Sequence, residues 1–337
     1  MNRQIRLAAR PHGFPIASDF ELVTAPVPEP GPGEFLVKGE YLSVDPYMRG
    51  RMDDRLSYAA PVQIGDVMVG ELVGQVIKSN HEKFTEGSYV SGMFGWQEFA
   101  VSSGKGVQRL DANRAPISTA LHVLGMPGLT AYFGLFDVCR VQPGETLLIS
   151  GAAGAVGSVV GQLAKHHGCR VVGIAGTDEK VEFITQQLGF DAAFNYKSTD
   201  NYLDAYRTHC PDGIDAYFDN VGGPITDAVF PHLNVGGRIA ICGQISQYNL
   251  ERRQQGPRLF PFLIVKRATV QGLLVLDYAA RFREGIQALS EAFSTGRLKY
   301  RETIVDGIEN APQAFVGMLQ GANIGKQLVR LHGNTTA

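Results

Sequence analysis

Three glycines, spaced three residues apart, could bind the phosphates of a dinucleotide. Gly151, Gly154 and Gly157 form a G-x-x-G-x-x-G turn directly after the apolar run 147–150. Small residues let a backbone approach a pyrophosphate, and the N-terminus of a following helix offers unpaired N–H groups to its negative charge. The spacing differs from the usual G-x-G-x-x-G, so a close strand–helix crossing that needs small residues stays open as the alternative. The order of strand, turn and helix favours the dinucleotide site.

The residues that follow the second strand of such a unit select between NAD and NADP. An NAD site usually has an Asp or Glu about 20 residues after the glycines, where it binds the ribose hydroxyls. This chain has Gly176 at that place. An acid would repel a 2′-phosphate there, whereas glycine does not. Lys180 lies in the first turn of the next predicted helix, where a cation is unfavourable, which favours a functional role for it. A solvated surface lysine stays open as the alternative. Asp178 argues the other way, because a small shift would let it bind the ribose.

Strands and helices alternate along the chain from residue 127 onward, and this alternation must position the glycine turn. It predicts an α/β fold with a doubly wound parallel sheet, which binds ligands at the carboxyl ends of its strands. The six predicted strands are 147–150, 169–175, 192–196, 214–218, 237–242 and 269–275, and the helices between them include 179–188, 199–209 and 224–233.

The first part of the chain has a different texture, rich in proline, glycine and β-forming residues. It predicts a small β-rich domain, a partly open barrel, with strands at 34–44, 67–77, 86–92 and 97–101, and glycines within 67–77 that mark bends or bulges. A final helix at 310–320 leads to a strand at 326–331, which has no place in the six-stranded sheet and is assigned to the first domain. The predicted domains are therefore 1–126 with 305–337, and 127–304.

Composition and charge exclude several classes of function. A chain of 337 residues fits two domains, and a net charge of −2 gives no electrostatic case for nucleic acid or an anionic membrane surface. Four widely separated cysteines without a C-x-x-C pair predict neither a zinc knuckle nor a redox dithiol. The first six residues lack the apolar region of a signal peptide, and we expect a cytoplasmic protein without membrane spans.

Six segments, in order from near the N-terminus to near the C-terminus, carry a resemblance to a known family. They are VDPYMRGRM at 44–52, LGMPGLTAY at 124–132, AAGAVG at 152–157, FDNVGG at 218–223, CGQISQYN at 242–249 and ANIGK at 322–326. The chain resembles the zinc-free medium-chain dehydrogenase/reductases, in the NADP-dependent leukotriene/prostaglandin reductase and alkenal reductase group, and it is most similar to their bacterial curcumin reductase branch. The resemblance implies a GroES-like catalytic domain plus a Rossmann domain, usually as a homodimer.

The same resemblance implies a set of residues that bind NADP(H). Residues matching Lys180 and Tyr196 contact the 2′-phosphate in the family, 273–275 should end the sixth strand beside the nicotinamide, and Asn323 should close over the cofactor. Bland alternatives stay open, such as Asn220 as a turn former and 273–275 as sheet core. The implied cofactor residues are Pro46, Ala152, Ala153, Gly154, Ala155, Val156, Gly157, Gly176, Lys180, Tyr196, Asn220, Cys242, Gly243, Ile245, Ser246, Tyr248, Leu273, Leu274, Val275 and Asn323.

Zinc alcohol dehydrogenases share this architecture, so a metal has to be considered. A catalytic zinc needs three protein ligands from Cys, His or an acid. Residues 1–126 contain no cysteine, and their histidines, His12, His81 and His122, are widely spaced. The sequence therefore predicts no metal site.

Without zinc, a conjugated carbonyl is a better substrate than a simple one. Hydride adds to the β-carbon, and the negative charge spreads to the oxygen as an enolate that needs only hydrogen-bond donors and a proton for the α-carbon. The family places residues matching Tyr47 and Tyr248 at the substrate, and the curcumin branch also has a match to Tyr58. Each tyrosine could instead be a half-buried aromatic, and a proton from water or the ribose hydroxyl would make none of them essential.

The sequence thus predicts an NADPH-dependent reductase of the carbon–carbon double bond in α,β-unsaturated ketones or aldehydes. A zinc-free NADPH:quinone oxidoreductase is the first alternative, and a non-catalytic NADPH-binding protein is the second. The expected partners are a small conjugated carbonyl compound and a second copy of the chain, and the physiological substrate is not defined by the sequence.

Overall fold

The computed structural model describes residues 1–55, 57–252 and 254–332, and it forms two compact units. The first unit comprises Met1–His122 and the chain from Glu302 onward, and the second comprises Val123–Arg301. The strands are β1 (Asn2–Leu7), β2 (Phe20–Ala25), β3 (Phe35–Ser43), β4 (Leu72–Ser79), β5 (Tyr89–Gly92), β6 (Phe99–Ser102), β7 (Gln108–Leu110), β8 (Thr146–Ser150), β9 (Arg170–Ala175), β10 (Ala192–Asn195), β11 (Ile214–Asp219), β12 (Leu233–Ile241), β13 (Thr269–Gly272), β14 (Glu302–Asp306) and β15 (Lys326–Arg330). The α-helices are α1 (Tyr47–Arg51), α2 (Met126–Phe133), α3 (Ala155–His166), α4 (Asp178–Glu182), α5 (Tyr202–His209), α6 (Pro224–Asp227), α7 (Phe260–Lys266), α8 (Phe282–Ser294) and α9 (Ala311–Leu319).

The second unit is built on a parallel sheet, which confirms the predicted fold class. The strand order is β10-β9-β8-β11-β12-β13, and every neighbouring pair is parallel. The chain runs outward from β8 in one direction and outward from β11 in the other, which is the order of a dinucleotide-binding sheet. Every residue of β8 is buried, because helices cover both faces of such a sheet. The ends of β8 and β11 are therefore neighbours at the point where the strand order reverses.

The first unit is a mostly antiparallel sheet organised around the long strand β3. Its order is β14-β15-β3-β4-β5-β7, and β6 also pairs with β3. The first half of β3 pairs with β6 and the second half with β15, and its register against β4 shifts between Gly39 and Tyr41. On β4, a Cβ atom at Gly74 would lie 2.2 Å from the carbonyl oxygen of Lys38. Only glycine fits this close approach of two backbones, as the glycines of this stretch predict.

Several predicted element boundaries are wrong, each for an identifiable reason. The predicted strand 67–77 begins at Leu72, because residues before it bond to β1 and to the segment at Trp96. The predicted helix 224–233 is α-helical only to Asp227. A 3₁₀ turn follows at Phe230–His232, where Pro231 has no N–H to continue α-helical bonding, and Leu233 already starts β12. The predicted strand 269–275 ends at Gly272, so 273–275 follow the strand rather than end it. The sequence analysis did not identify β1, β2, β7, β14, α1, α7 or α8.

Within the described residues, the helices are all too short or too polar to cross a membrane.

Candidate cofactor and substrate site

The turn after β8 uses its three glycines in three different ways. Gly151 has φ +60°, a left-handed backbone conformation that favours glycine. A Cβ atom at Gly157 would lie 2.5 Å from the carbonyl oxygen of Gly151, so this glycine lets α3 pack closely on the turn. Gly154 is the residue before α3, where the first N–H groups have no partner inside the helix. The close-crossing interpretation thus fits Gly157, whereas Gly151 and Gly154 shape a turn that suits a bound phosphate.

The ends of β9 and β10 bring two predicted phosphate-binding residues together. A Cβ atom at Gly176 would lie 3.0 Å from the Tyr196 ring, so a larger residue would displace that ring. Burial raises the pKa of Tyr196, which keeps its hydroxyl protonated as a hydrogen-bond donor. Burial lowers the pKa of Lys180, and the positive charge of Lys197 lowers it further. Lys197, which the sequence analysis missed, therefore adds a second cation here, and its position directly after Tyr196 was the available signal.

Asp178, which could have indicated an NAD site, has a partner in this structure. The Asn195 side-chain amide donates a hydrogen bond to Asp178 Oδ1 at 2.9 Å, and this bond ties the start of α4 to the end of β10. Thr177 caps α4, because its hydroxyl accepts a hydrogen bond from the backbone N–H of Lys180 at 3.3 Å.

A buried carboxylate joins the ends of β8, β11 and β12. Asp219, the last residue of β11, is fully buried and accepts six hydrogen bonds. The donors to Oδ1 are Ser150 Oγ at 2.8 Å and, each at 2.9 Å, the Tyr217 hydroxyl, Val221 N and Gly222 N; the donors to Oδ2 are Thr226 Oγ1 at 2.8 Å and Gln244 Nε2 at 2.9 Å. Sequence analysis missed Asp219 as a site residue, although an acid at the end of an apolar strand was a usable signal.

Hydrogen bonds to backbone carbonyls hold the loops after β11 and β12 in place. The Asn220 side chain donates to the Ser150 carbonyl at 2.8 Å, so it links the loop after β11 to the end of β8. Cys242 N and Gly243 N donate to the Asp219 carbonyl at 2.8 and 3.0 Å. Ser246 Oγ donates to the Val221 carbonyl at 2.6 Å. The predicted cofactor residues of both loops therefore lie together at the carboxyl ends of the strands.

Tyr248 lies in the loop after β12 with its hydroxyl held by the backbone. The Gln244 N–H donates to the Tyr248 hydroxyl oxygen at 3.0 Å. An N–H bond to a phenol oxygen fixes its position and favours negative charge on that oxygen. The Gln244 side chain in turn donates to Asp219, so the buried carboxylate helps to place the loop that holds this phenol.

Leu273, Leu274 and Val275 follow β13 at the same end of the sheet. The Leu273 N–H donates to the Ile241 carbonyl at 2.9 Å. This hydrogen bond joins the residue after β13 to the last residue of β12. Val275 is buried and begins a 3₁₀ turn at Val275–Arg281. Burial also raises the pKa of the Cys242 thiol to about 12, so this thiol is neutral.

Four predicted site residues lie in the first unit: Pro46, Tyr47, Tyr58 and Asn323. Pro46 is the residue before α1, and Tyr47 is the first residue of that helix. Burial raises the pKa of Tyr47, and the charges of Asp45, Glu71 and Tyr58 raise it further. Tyr47 is thus a neutral donor with Tyr58 close enough to act on its charge, although Tyr58 is 61% exposed.

Asn323, the fourth of these predicted residues, lies in the turn before β15. Its side-chain amide donates to the Gly325 carbonyl at 2.7 Å, which fixes the turn shape. The next residue, Ile324, bonds through its N–H to the Thr303 hydroxyl at 3.2 Å.

In the part of the chain that the structure describes, no group of three His, Cys, Asp or Glu side chains is arranged to hold a metal ion. His81 packs on the rings of Phe35 and Phe84, and its Nδ1 accepts a hydrogen bond from Lys83 N at 3.0 Å. Cys139, Cys169, Cys210 and Cys242 are all free thiols.

The geometry of the second unit is that of a dinucleotide-binding domain, and the comparisons with known proteins identify an oxidoreductase. Residues 3–110 match the family described as the N-terminal domain of oxidoreductase, and residues 155–291 match the zinc-binding dehydrogenase family. The NADPH-dependent curcumin reductase of Escherichia coli (strain K12) is 44% identical over 338 residues, covering 99% of this chain and 98% of that protein. The NADP(+)-dependent 2-alkenal reductase of Nicotiana tabacum is 42% identical over 334 residues, covering 97% of both chains.

A solved structure gives the same result for the three-dimensional fold. The crystal structure of CurA from Vibrio vulnificus in complex with NADPH superimposes with a TM-score of 0.94 at 46% identity, covering 98% of this chain and 99% of that one. This chain therefore belongs to the medium-chain dehydrogenase/reductase family, with its GroES-like and Rossmann domains. Within that family it belongs to the group of NADP-dependent reductases that contains the curcumin and alkenal reductases.

The six bonds to Asp219 generate a prediction about stability. Asp219→Asn should lower the free energy of unfolding by about 2–5 kcal/mol, because the amide nitrogen would face donors and leave buried N–H or O–H groups unpaired. Asp204→Asn is the matched control, since Asp204 is an exposed partner of Arg207 on α5 and should cost less than about 1 kcal/mol. Chemical denaturation measures both, and equal effects of the two variants would contradict the structural role of Asp219.

Proposed function

We propose that this chain reduces the carbon–carbon double bond of α,β-unsaturated ketones and aldehydes with NADPH. The chain is an NADP-dependent oxidoreductase, as its relatives are. The observation that carries the substrate class is the Tyr248 hydroxyl, which the Gln244 N–H holds in the loop after β12. A fixed phenol suits the oxygen of a conjugated carbonyl, where charge develops during reduction.

The proposed binding site for NADP(H) consists of the cofactor residues that the resemblance implies. The Gly154 turn at the start of α3 would receive the pyrophosphate, and Lys180 with Tyr196 would receive the 2′-phosphate. A glycine at 176, rather than an acid, leaves the position beside the Tyr196 ring without negative charge. NADPH supplies the hydride when bound. The second unit would hold the cofactor and the first would supply the substrate pocket, with the predicted boundaries near residues 126 and 305.

The protein's own part in the reaction is to stabilise charge on the substrate oxygen. Tyr248, Tyr58 and Tyr47 are the proposed donors, and a neutral phenol stabilises an enolate without having to ionise first. Tyr47 fits this role because burial and neighbouring carboxylates keep it protonated. The proton for the α-carbon comes from one of these hydroxyls or from water.

The substrate class is tested by NADPH oxidation with a panel of enones, enals and quinones at fixed cofactor. The proposal expects turnover with enones and enals. Turnover confined to quinones would support the quinone oxidoreductase alternative, and cofactor binding without any turnover would support a non-catalytic protein.

Lys180 provides a test of cofactor choice. Lys180→Ala should raise KM for NADPH roughly tenfold to a hundredfold, as expected for loss of about 1–3 kcal/mol from a phosphate contact, and leave KM for NADH nearly unchanged. Lys165→Ala is the control, because Lys165 pairs with Asp191 on the surface of the same unit. Equal use of NADPH and NADH by the native protein would contradict the proposal.

The tyrosines provide a test of the charge-stabilising step. Tyr248→Phe removes only the donor and should lower kcat with an enone by about 10²–10³, with smaller effects expected for Tyr58→Phe and Tyr47→Phe. Tyr89→Phe on β5 is the control, since its hydroxyl pairs with Glu40. A change in KM alone would mean that the phenol positions the ground state. Near-native kcat in all three variants would refute the assignment.

We also propose that the activity is independent of zinc. The support is the ligand supply of the sequence, since residues 1–138 contain no cysteine and His81 is used in packing. Activity should survive exhaustive chelation, and elemental analysis should find no stoichiometric zinc. Loss of activity together with a tightly held zinc ion would contradict this.

A homodimer is supported by an exposed edge on the second unit. All four residues of β13 are exposed at the end of the parallel sheet. On the nearby helix α7, Phe260, Ile264 and Val265 are 81%, 78% and 64% exposed. A second copy would cover this apolar surface and pair with the free strand edge.

We propose a cytoplasmic location as well, which suits four reduced thiols.

Light scattering tests the homodimer. Ile264→Lys should convert a dimer to a monomer, because it places a charge in the proposed interface. Val235→Lys is the control, since Val235 is 62% exposed on β12 and lies outside α7 and β13. A monomeric native protein would contradict the homodimer, and so would a dimer that Ile264→Lys leaves intact.

A further inference from the structure

Four charged residues occupy one end of four neighbouring strands in the first unit, directly before α1. Glu302 pairs with Lys326 in the register of β14 and β15. Lys326 reaches across to the segment after β3, where Asp45 stands two residues before Tyr47. On the other side of β3, the Ser43 N–H donates to the Glu71 carbonyl at 2.9 Å. The sheet therefore gathers three carboxylic acids and one amine where the helix carrying Tyr47 begins.

The amine of this cluster is deeply buried and has fixed partners. The Lys326 side chain is 1% exposed, and its Nζ donates to the Val44 carbonyl at 2.7 Å and to Asp45 Oδ1 at 2.8 Å. The second oxygen of Asp45 accepts a hydrogen bond from the Ser43 hydroxyl. Asp45 is thus fully engaged as the counter-ion of Lys326, and one ammonium is left to face the two glutamates as well.

Burial raises the pKa of both glutamates, and a neighbouring carboxylate raises it further only at Glu71. Burial and the negative charge of Asp45 raise the pKa of Glu71 to about 7, although Lys326 acts in the opposite direction. Burial also raises the pKa of Glu302, despite the Ser118 hydroxyl and Lys326. Among the described residues, Glu302 Oε1 is buried without a hydrogen-bond partner. Below pH 7 the carboxyl of Glu71 is mostly uncharged, and above pH 7 it is mostly ionised.

Glu71, and not Glu302, acts directly on the predicted substrate-side phenol. The charges that raise the pKa of Tyr47 come from Asp45, Glu71 and Tyr58, and Arg51 opposes them. An anion at Glu71 disfavours negative charge on the Tyr47 oxygen, so it weakens the hydrogen bond that this hydroxyl can donate to an enolate. An uncharged Glu71 removes this repulsion.

We propose that Glu71 is a positioning residue for the reduction, which acts through the Tyr47 hydroxyl and allows fast turnover only while its carboxyl is uncharged. The inference rests on the proposed function, because it needs a substrate oxygen that gains negative charge next to Tyr47. It assigns to Glu71 an effect on rate that changes with pH, a role that a purely structural carboxyl would not have.

The test is the pH dependence of kcat between pH 6 and pH 8, with an enone at saturating NADPH. A single ionisation near pH 7 should lower kcat of the native protein about tenfold over this range. Glu71→Gln is close in shape and permanently neutral, so it should keep the kcat of low pH throughout. Glu302→Gln is the matched control from the same cluster and should retain the fall.

The outcomes separate this inference from the proposed function. Tyr47→Phe should also lose the fall, which keeps the test informative if Glu71→Gln does not fold. A fall that persists in folded Glu71→Gln or in Tyr47→Phe would overturn the inference, and so would a native protein whose kcat does not change with pH. A folded Glu71→Gln that is inactive at every pH would also overturn it. Absence of enone turnover at any pH, with NADPH bound, would instead refute the proposed function.

Discussion

The loops at the carboxyl ends of the parallel strands depend on the hydrogen bonds that the Asp219 carboxylate accepts. A buried carboxylate is stable only when hydrogen bonds replace its lost hydration, and here the donors come from β8, from α6 and from the segments after β11 and β12. Each bond fixes one loop relative to the others. The loop that carries Tyr248 is held through Gln244, so the proposed oxygen contact is placed before any ligand arrives.

The first unit contains a cluster of charged residues around the buried Lys326. This cluster has more carboxyls than ammonium groups, and burial together with the charge of Asp45 raises the pKa of Glu71. Tyr47 stands next to this cluster as a neutral phenol. Tyr196 is likewise kept neutral in the second unit, by burial. The proposed polar contacts of both units are therefore largely hydroxyl donors, with charge concentrated at Lys180 and Lys197 where a phosphate is expected.

The sequence predicts the parallel sheet well, because apolar runs such as 147–150 are stable only where they are buried, as in the strands of such a sheet. It predicts element ends poorly, because a strand ends where its neighbour ends. Leu273 follows β13 rather than ending it, since β12 provides no partner after Ile241. The missed β1 and β2 pair with each other, and nothing local distinguishes such strands from the extended, proline-rich segments around them.

The same limit explains which site residues were found. Gly151 and Gly154 carry a local signal, because a turn of that shape needs glycine, whereas Asp219 is recognisable only through donors from distant segments. Glu71 stood inside a predicted strand, and its raised pKa comes from burial and from Asp45, which lies 26 positions earlier in the chain. Tertiary charge environments of this kind cannot be derived from local sequence.

The central claim is that hydride reaches the β-carbon of a conjugated carbonyl compound. The most direct measurement follows the label from NADPH deuterated at the transferred position of the nicotinamide C4, with an enone as substrate and the product analysed by NMR spectroscopy. The account predicts a saturated ketone that carries deuterium on its β-carbon. An allylic alcohol with deuterium on the former carbonyl carbon would contradict it.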